Sequence, residues 1–184
     1  LLAGLLLGLA FGLLVLGGWV KVVATNWQWS LVASWLLFFL VQPLAEEVVM
    51  RSFLQQQFAQ AAGQQLALIA TALVFAFTHA GNDNFGSLAG LQIFAGGYFI
   101  GQLFLRTGSL WAPYLFHAAW NFFQSTLLGF AVSGLNIYSV LQLDISGPAW
   151  LTGGRFGLEG SVLTLVFLLL MICYYRINPI RHHN

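Results

Sequence analysis

Charge is scarce in this sequence. Of 184 residues, five are acidic and six are Lys or Arg, 6% in all, where a soluble globular domain carries about a quarter. A chain so poor in charge is not built to face water over its whole surface. Its formal net charge of +1 supplies no clustered basic face, which excludes a nucleic-acid partner. Cysteine is nearly missing as well. Cys173 stands alone, so an internal disulfide framework and a Cys-based metal site are both excluded. The apolar runs lack the period-two alternation that a membrane barrel requires, so strands are not expected. Internal repeats and low-complexity linkers are also missing.

What is present is apolar: 59% of residues are hydrophobic and the mean hydropathy is +0.84. A bilayer span takes about 20 apolar residues, and uncharged runs cover residues 1–20, 27–45, 64–80, 85–105, 109–132 and 161–175. These predict an all-α fold, a polytopic transmembrane bundle of about six helices forming a single domain over residues 1–184. The first run has neither a basic n-region nor a small-residue cleavage pattern, so it is expected to be a span and not a cleaved signal peptide. The second run is expected to continue as helix to about Gln60, because Val48, Val49, Phe53, Leu54 and Phe58 keep an apolar face. Residues 133–160, rich in glycine and holding Asp144 and Glu159, read as an extramembrane loop. If the helices alternate, Arg106, Arg176 and Arg181 share one side, and Lys21 and Arg155 share the other with Asp83, Asp144 and Glu159. The first side is read as cytoplasmic.

Ionisable groups within such runs cost roughly 2.5 to 3.5 kcal/mol each on insertion scales, which makes them functional candidates. Glu46, Glu47 and Arg51 meet that description. Glu47 and Arg51 stand at i and i+4, the spacing of an ion pair on one helix face, which leaves Glu46 free. A turn is expected at Ala62-Gly63. Glu46 lies 17 residues before Gly63 and His79 lies 16 after it, so the arms of an antiparallel hairpin put both at one height and predict a contact between them. His117 and Asn121 form a second i, i+4 pair. One free carboxylate, two imidazoles and an amide in a dry cavity can deprotonate water and donate hydrogen bonds to the oxyanion of an attacked amide. A Glu and two His are also a known zinc set with an open fourth position. Residue identity does not choose between metal-activated water and water held by Glu46 and His79. Ser125 and Thr78 lie outside any G-x-S-x-G context and are expected to bond to helix carbonyls.

The pattern resembles the CPBP intramembrane proteases, which include the CAAX prenyl endopeptidases and proteins linked to bacteriocin processing and immunity. Glu-Glu-x-x-x-Arg matches EEVVMR at Glu46 to Arg51, Phe-x-x-x-His matches FAFTH at Phe75 to His79, and His-x-x-x-Asn matches HAAWN at His117 to Asn121. The resemblance covers about residues 45–121. Ser52 stands where a glycine is commoner. The resemblance implies an endopeptidase in a bacterial-type cell membrane, acting on a membrane-associated or prenylated peptide or protein. It makes Glu46 the general base with His79 its partner, His117 and Asn121 the oxyanion donors, Glu47 and Arg51 a supporting pair, and Phe75 a packing residue. Both a zinc mechanism and a metal-free glutamate mechanism are compatible with it. Two other classes use the same residues: a catalytically silent immunity or scaffold protein of the same fold, and an ion or proton transporter.

Overall fold

A computed structural model describes residues 1–177, so Arg181 lies outside the described residues. Among these, six helical segments make up most of the chain: α1 (Leu2–Leu16), α2 (Trp29–Ala62), α3 (Gln64–Thr78), α4 (Ser87–Thr107), α5 (Trp111–Asn121) and, after a short α6 (Ala149–Thr152), α7 (Val162–Ile177). The second helix continues past the acidic pair as expected, but as a wide π-helical stretch over Val48–Leu54. Gly63, at φ +84, ends it where a side chain would be strained. A second π stretch, Phe122–Leu127, follows α5 directly. Both wide turns adjoin the polar motifs, the usual setting for this rare geometry.

Two helices, Trp29–Ala62 and Ser87–Thr107, are long and apolar enough to cross a membrane, and Leu2–Leu16, Gln64–Thr78 and Val162–Ile177 are shorter apolar helices. A 15-residue helix spans only about 22 Å at ~1.5 Å per residue, short of the ~30 Å hydrocarbon core. Leu5, Leu37, Leu73, Phe77 and Leu170 stand exposed on the outer surface, and such an apolar exterior marks a face made for a non-aqueous or partner surface. Inside, Leu7, Leu14, Phe99, Phe116, Trp120, Leu158 and Leu168 form the main core. Helices α3 and α4 approach through glycine: a Cβ at Gly97 would lie 3.1 Å from Phe75, and one at Gly101 2.7 Å from Leu68. Small residues serve this purpose in apolar bundles.

The expectation of no strands is corrected. Helix α1 stops at Leu16, before Gly17-Gly18, and β1 (Val20–Thr25) pairs antiparallel with β2 (Leu141–Ile145), placing Lys21 opposite Asp144. Val20, Val22 and Val23 favour a strand, and the opposite charges favour this register. Hydropathy alone merges these valines with the preceding helix. Arg106 donates to the Tyr175 carbonyl at 2.7 Å and stacks on that ring, and Lys21 lies opposite Asp144 in the strand pair.

The segment 133–160 is not a plain outer loop, which corrects that reading. It carries β2, α6 and a 3-10 turn (Leu158–Gly160), and it folds back so that Ser133 and Glu159 line a cavity within the bundle. Its path is set by close backbone approaches. A Cβ at Gly157, where φ is +97, would lie 1.8 Å from the Ala131 carbonyl oxygen. Gly157→Ala therefore cannot keep this path, and a cost of roughly 1 to 3 kcal/mol is expected, read as a fall of several degrees in the unfolding midpoint of the detergent-solubilised protein.

Candidate active site

The motif residues converge where α2, α3 and α5 meet. Glu47 and Arg51 make the i, i+4 pair anticipated from their spacing: Arg51 Nε donates to Glu47 Oε2 at 2.8 Å, and both side chains are fully buried. The other carboxylate oxygen, Oε1, accepts from His117 Nδ1 at 2.8 Å. Glu47 thus joins a guanidinium on its own helix to an imidazole on α5. Phe75 packs against all three cationic or imidazole groups, with Arg51 5.7 Å above its ring, His117 edge-on at 5.7 Å and His79 at 4.7 Å.

Glu46 is the more accessible acid, its side chain 31% exposed. One oxygen accepts from Gln42 Nε2, and Oε2 lies 3.7 Å from His117 Nε2 without a hydrogen-bond partner. Glu46 and His79 line one cavity but make no ion pair or hydrogen bond with each other, which corrects the predicted contact. Equal hairpin arms set a common height and say nothing of the angle at which side chains leave their helices. His79, just past the last turn of α3, folds back so that Nδ1 meets the Phe75 carbonyl at 2.8 Å. The imidazole nearest Glu46 is that of His117.

Both imidazoles are oriented alike. His117 Nδ1 faces the Glu47 carboxylate and His79 Nδ1 the Phe75 carbonyl at 2.8 Å, with the Thr78 hydroxyl, itself donating to that carbonyl, at 3.3 Å, so Nδ1 carries the proton in each and Nε2 is the atom left for a ligand. Asn121, buried at the end of α5, lines the same cavity. The hydroxyls of Ser125 and Thr78 are spent on helix carbonyls, at Asn121 O (2.6 Å) and Phe75 O (2.7 Å).

The cavity holding Glu46, His79, His117 and Asn121 measures ≈ 260 Å³ and also takes in Gln42 and Asn82. Behind the imidazoles lies a smaller one of ≈ 40 Å³, lined by His79, His117, Asn121, Ser133 and Glu159 among apolar side chains. Gln42, Asn82, Ser133 and Glu159 belong to no motif. Glu159 could have drawn notice as one of only five acids, but nothing local places it inward. Its Oε2 accepts from Ser133 N at 2.5 Å and Ser133 Oγ at 3.0 Å. Burial pushes this carboxyl above the usual range, and the Ser133 bonds and facing imidazoles pull it partly back.

A zinc site requires three protein ligands converging at ~2.0 to 2.2 Å from one point. No three His, Cys, Asp or Glu side chains converge in this way among the described residues, so the donor set as placed does not fit that metal.

Fold and site define a helical-bundle protein with a buried acid–imidazole cluster opening on an internal cavity. Residues 27–123 match the family of type II CAAX prenyl endopeptidases, Rce1-like. The chain belongs to that family, which is membrane-embedded and implies a protease. No curated protein and no solved structure matches the chain.

The Glu47 bridge carries a stability consequence. Arg51→Leu strands a buried carboxylate, and a loss of about 3 to 5 kcal/mol is expected. The double variant Glu47→Leu with Arg51→Leu removes both charges and is expected to unfold at a higher temperature than the single one, compared by thermal unfolding in micelles.

Proposed function

We propose that the chain is an intramembrane endopeptidase, crossing a bacterial-type cell membrane in six passes and hydrolysing a peptide bond in a membrane-associated or prenylated CAAX-type substrate. The observation that supports this most directly is the convergence of the Glu46 carboxylate, two imidazoles with free Nε2 atoms and the Asn121 amide on one cavity.

The chemistry follows from the donors and acceptors. Water in the cavity donates one hydrogen to Glu46 Oε2 and the other to His79 Nε2, which leaves its lone pairs for the scissile carbonyl. Glu46 takes a proton as the carbon–oxygen bond forms. The oxyanion accepts from the Asn121 amide and from His117 Nε2. Because His117 Nδ1 is committed to Glu47, donation from Nε2 requires the imidazolium, whose counter-charges are Glu47 and Glu46. Collapse breaks the carbon–nitrogen bond, and Glu46 returns its proton to the leaving amine. The commitment of the Ser125 and Thr78 hydroxyls favours direct attack by water over a serine or threonine nucleophile.

Purified protein is expected to cleave members of a prenylated peptide panel. Glu46→Gln and His79→Ala should each lower the rate at least about 10²-fold, and Asn121→Ala about 10²-fold or more through loss of an oxyanion donor, with unfolding midpoints near wild type. Cleavage that survives Glu46→Gln overturns the proposal. A wild type that cuts nothing, and whose partner binding is unchanged in both variants, supports the silent scaffold reading.

A further inference from the structure

The ≈ 40 Å³ cavity has room for about three water molecules at ~10 to 15 Å³ each, too little for a peptide segment. It shares His79, His117, Asn121 and Ser133 with the larger cavity that Glu46 lines, and its one acidic wall residue is Glu159. We propose that Glu159 is a positioning residue of the site: it shares the inner cavity with both imidazoles, and its carboxylate favours the protonated His117 that turnover uses. The consequence for turnover rests on the peptidase reading above; the coupling between the carboxylate and the imidazoles does not.

Three observations carry the inference. First, Glu159 is held rigidly. Ser133 donates to it from both its amide and its hydroxyl, and the turn that presents it is locked by Gly153 and Gly157, where an added Cβ would lie 1.8 Å from a carbonyl oxygen. Second, Ser133 is tied to the imidazole helix. Its carbonyl accepts from Asn82 Nδ2 at 3.0 Å, and the Asn82 amide donates to the His79 carbonyl at 3.0 Å. Ser133 itself holds a left-handed backbone, φ +48, a conformation that costs energy outside glycine and that the bonds to Glu159 and Asn82 maintain. Third, Glu47 and Glu46 reach His117 from α2 at 2.8 and 3.7 Å, and Glu159, on the 3-10 turn, lines one cavity with His79 and His117. Glu47 is already neutralised by Arg51, and Glu46 loses its charge when it accepts the proton from water. Glu159 is the remaining acid of the site, neither paired with a cation among the described residues nor consumed by the proton transfer. The walls contributed by α4 and α7 carry only neutral groups, Gln92, Ile93, Gly96, Ile100 and Leu168.

A facing carboxylate favours the protonated imidazole. Glu159→Gln keeps an acceptor for Ser133 and removes the charge, so His117 should release its proton at lower pH. The alkaline limb of the kcat profile is then expected to move toward acid by about half a unit or more with KM unchanged. Ser133→Ala, which leaves the carboxylate and the backbone bond from Ser133 N in place, should move it less than Glu159→Gln does. A purely structural Glu159 would change the rate or the unfolding midpoint and leave the profile where it is. Nitrogen-15 histidine titration in micelles, assigned with His79→Gln and His117→Gln, reads the same coupling without turnover. Midpoints unmoved in a folded Glu159→Gln overturn the proposal. If that variant does not fold, Glu159→Asp draws the charge back by one methylene and must give a smaller shift in the same direction; no shift overturns the proposal equally. An inactive protein with shifted midpoints refutes the peptidase reading alone, and an active one with unmoved midpoints refutes this inference alone.

Discussion

The carboxylate of Glu47 holds two partners at once inside an apolar bundle, the Arg51 guanidinium on one oxygen and the His117 imidazole on the other, each at 2.8 Å. Burying an ionised carboxylate without partners costs several kcal/mol, so wherever Glu47 goes, a guanidinium and an imidazole must follow. That requirement ties α2 to α5 at a defined height and rotation. It also settles what His117 offers the cavity: with Nδ1 committed, only Nε2 remains. Glu46, one residue earlier and about 100° round the helix, faces the open cavity with a carboxylate that Gln42 orients without neutralising. Adjacent acids thus differ because one is satisfied by protein and the other is left for a ligand.

Around this bridge the fold is arranged to accommodate polarity that the bundle otherwise excludes. Phe75 lies among Arg51, His79 and His117 and separates them from the lipid-like core. The two π stretches fall immediately after the residues they serve, Glu47 and Asn121. Glycine lets α4 close against α3, and the returning segment 133–160 seals the inner side with Ser133 and Glu159. Pairing Lys21 with Asp144 across the strands fastens that segment to the start of the chain, so a feature far from the imidazoles helps to hold the wall facing them.

Much of this was legible before any coordinates. Scarcity of charge and length of apolar runs specified a helical bundle; the glycine at 63 marked the end of the longest helix; the spacing of Glu47 and Arg51 gave their ion pair; and three short motifs on separate helices pointed to the family that residues 27–123 match. These are all local properties. Periodicity decides which side chains share one helix face, and a residue such as glycine at positive φ ends a helix wherever it stands.

What only the tertiary structure decided was which group meets which across helices. The hairpin arithmetic put Glu46 and His79 at one level and in one cavity, yet the imidazole beside Glu46 is that of His117, because His79 turns back onto its own helix. The strand pair joins residues more than a hundred positions apart, and Glu159 lines the inner cavity of the imidazoles from a segment that composition alone assigns to the outside. Each of these outcomes depends on the rotation and sideways offset of packed elements. Those are fixed by many weak contacts distant in sequence, and no short stretch of residues encodes them.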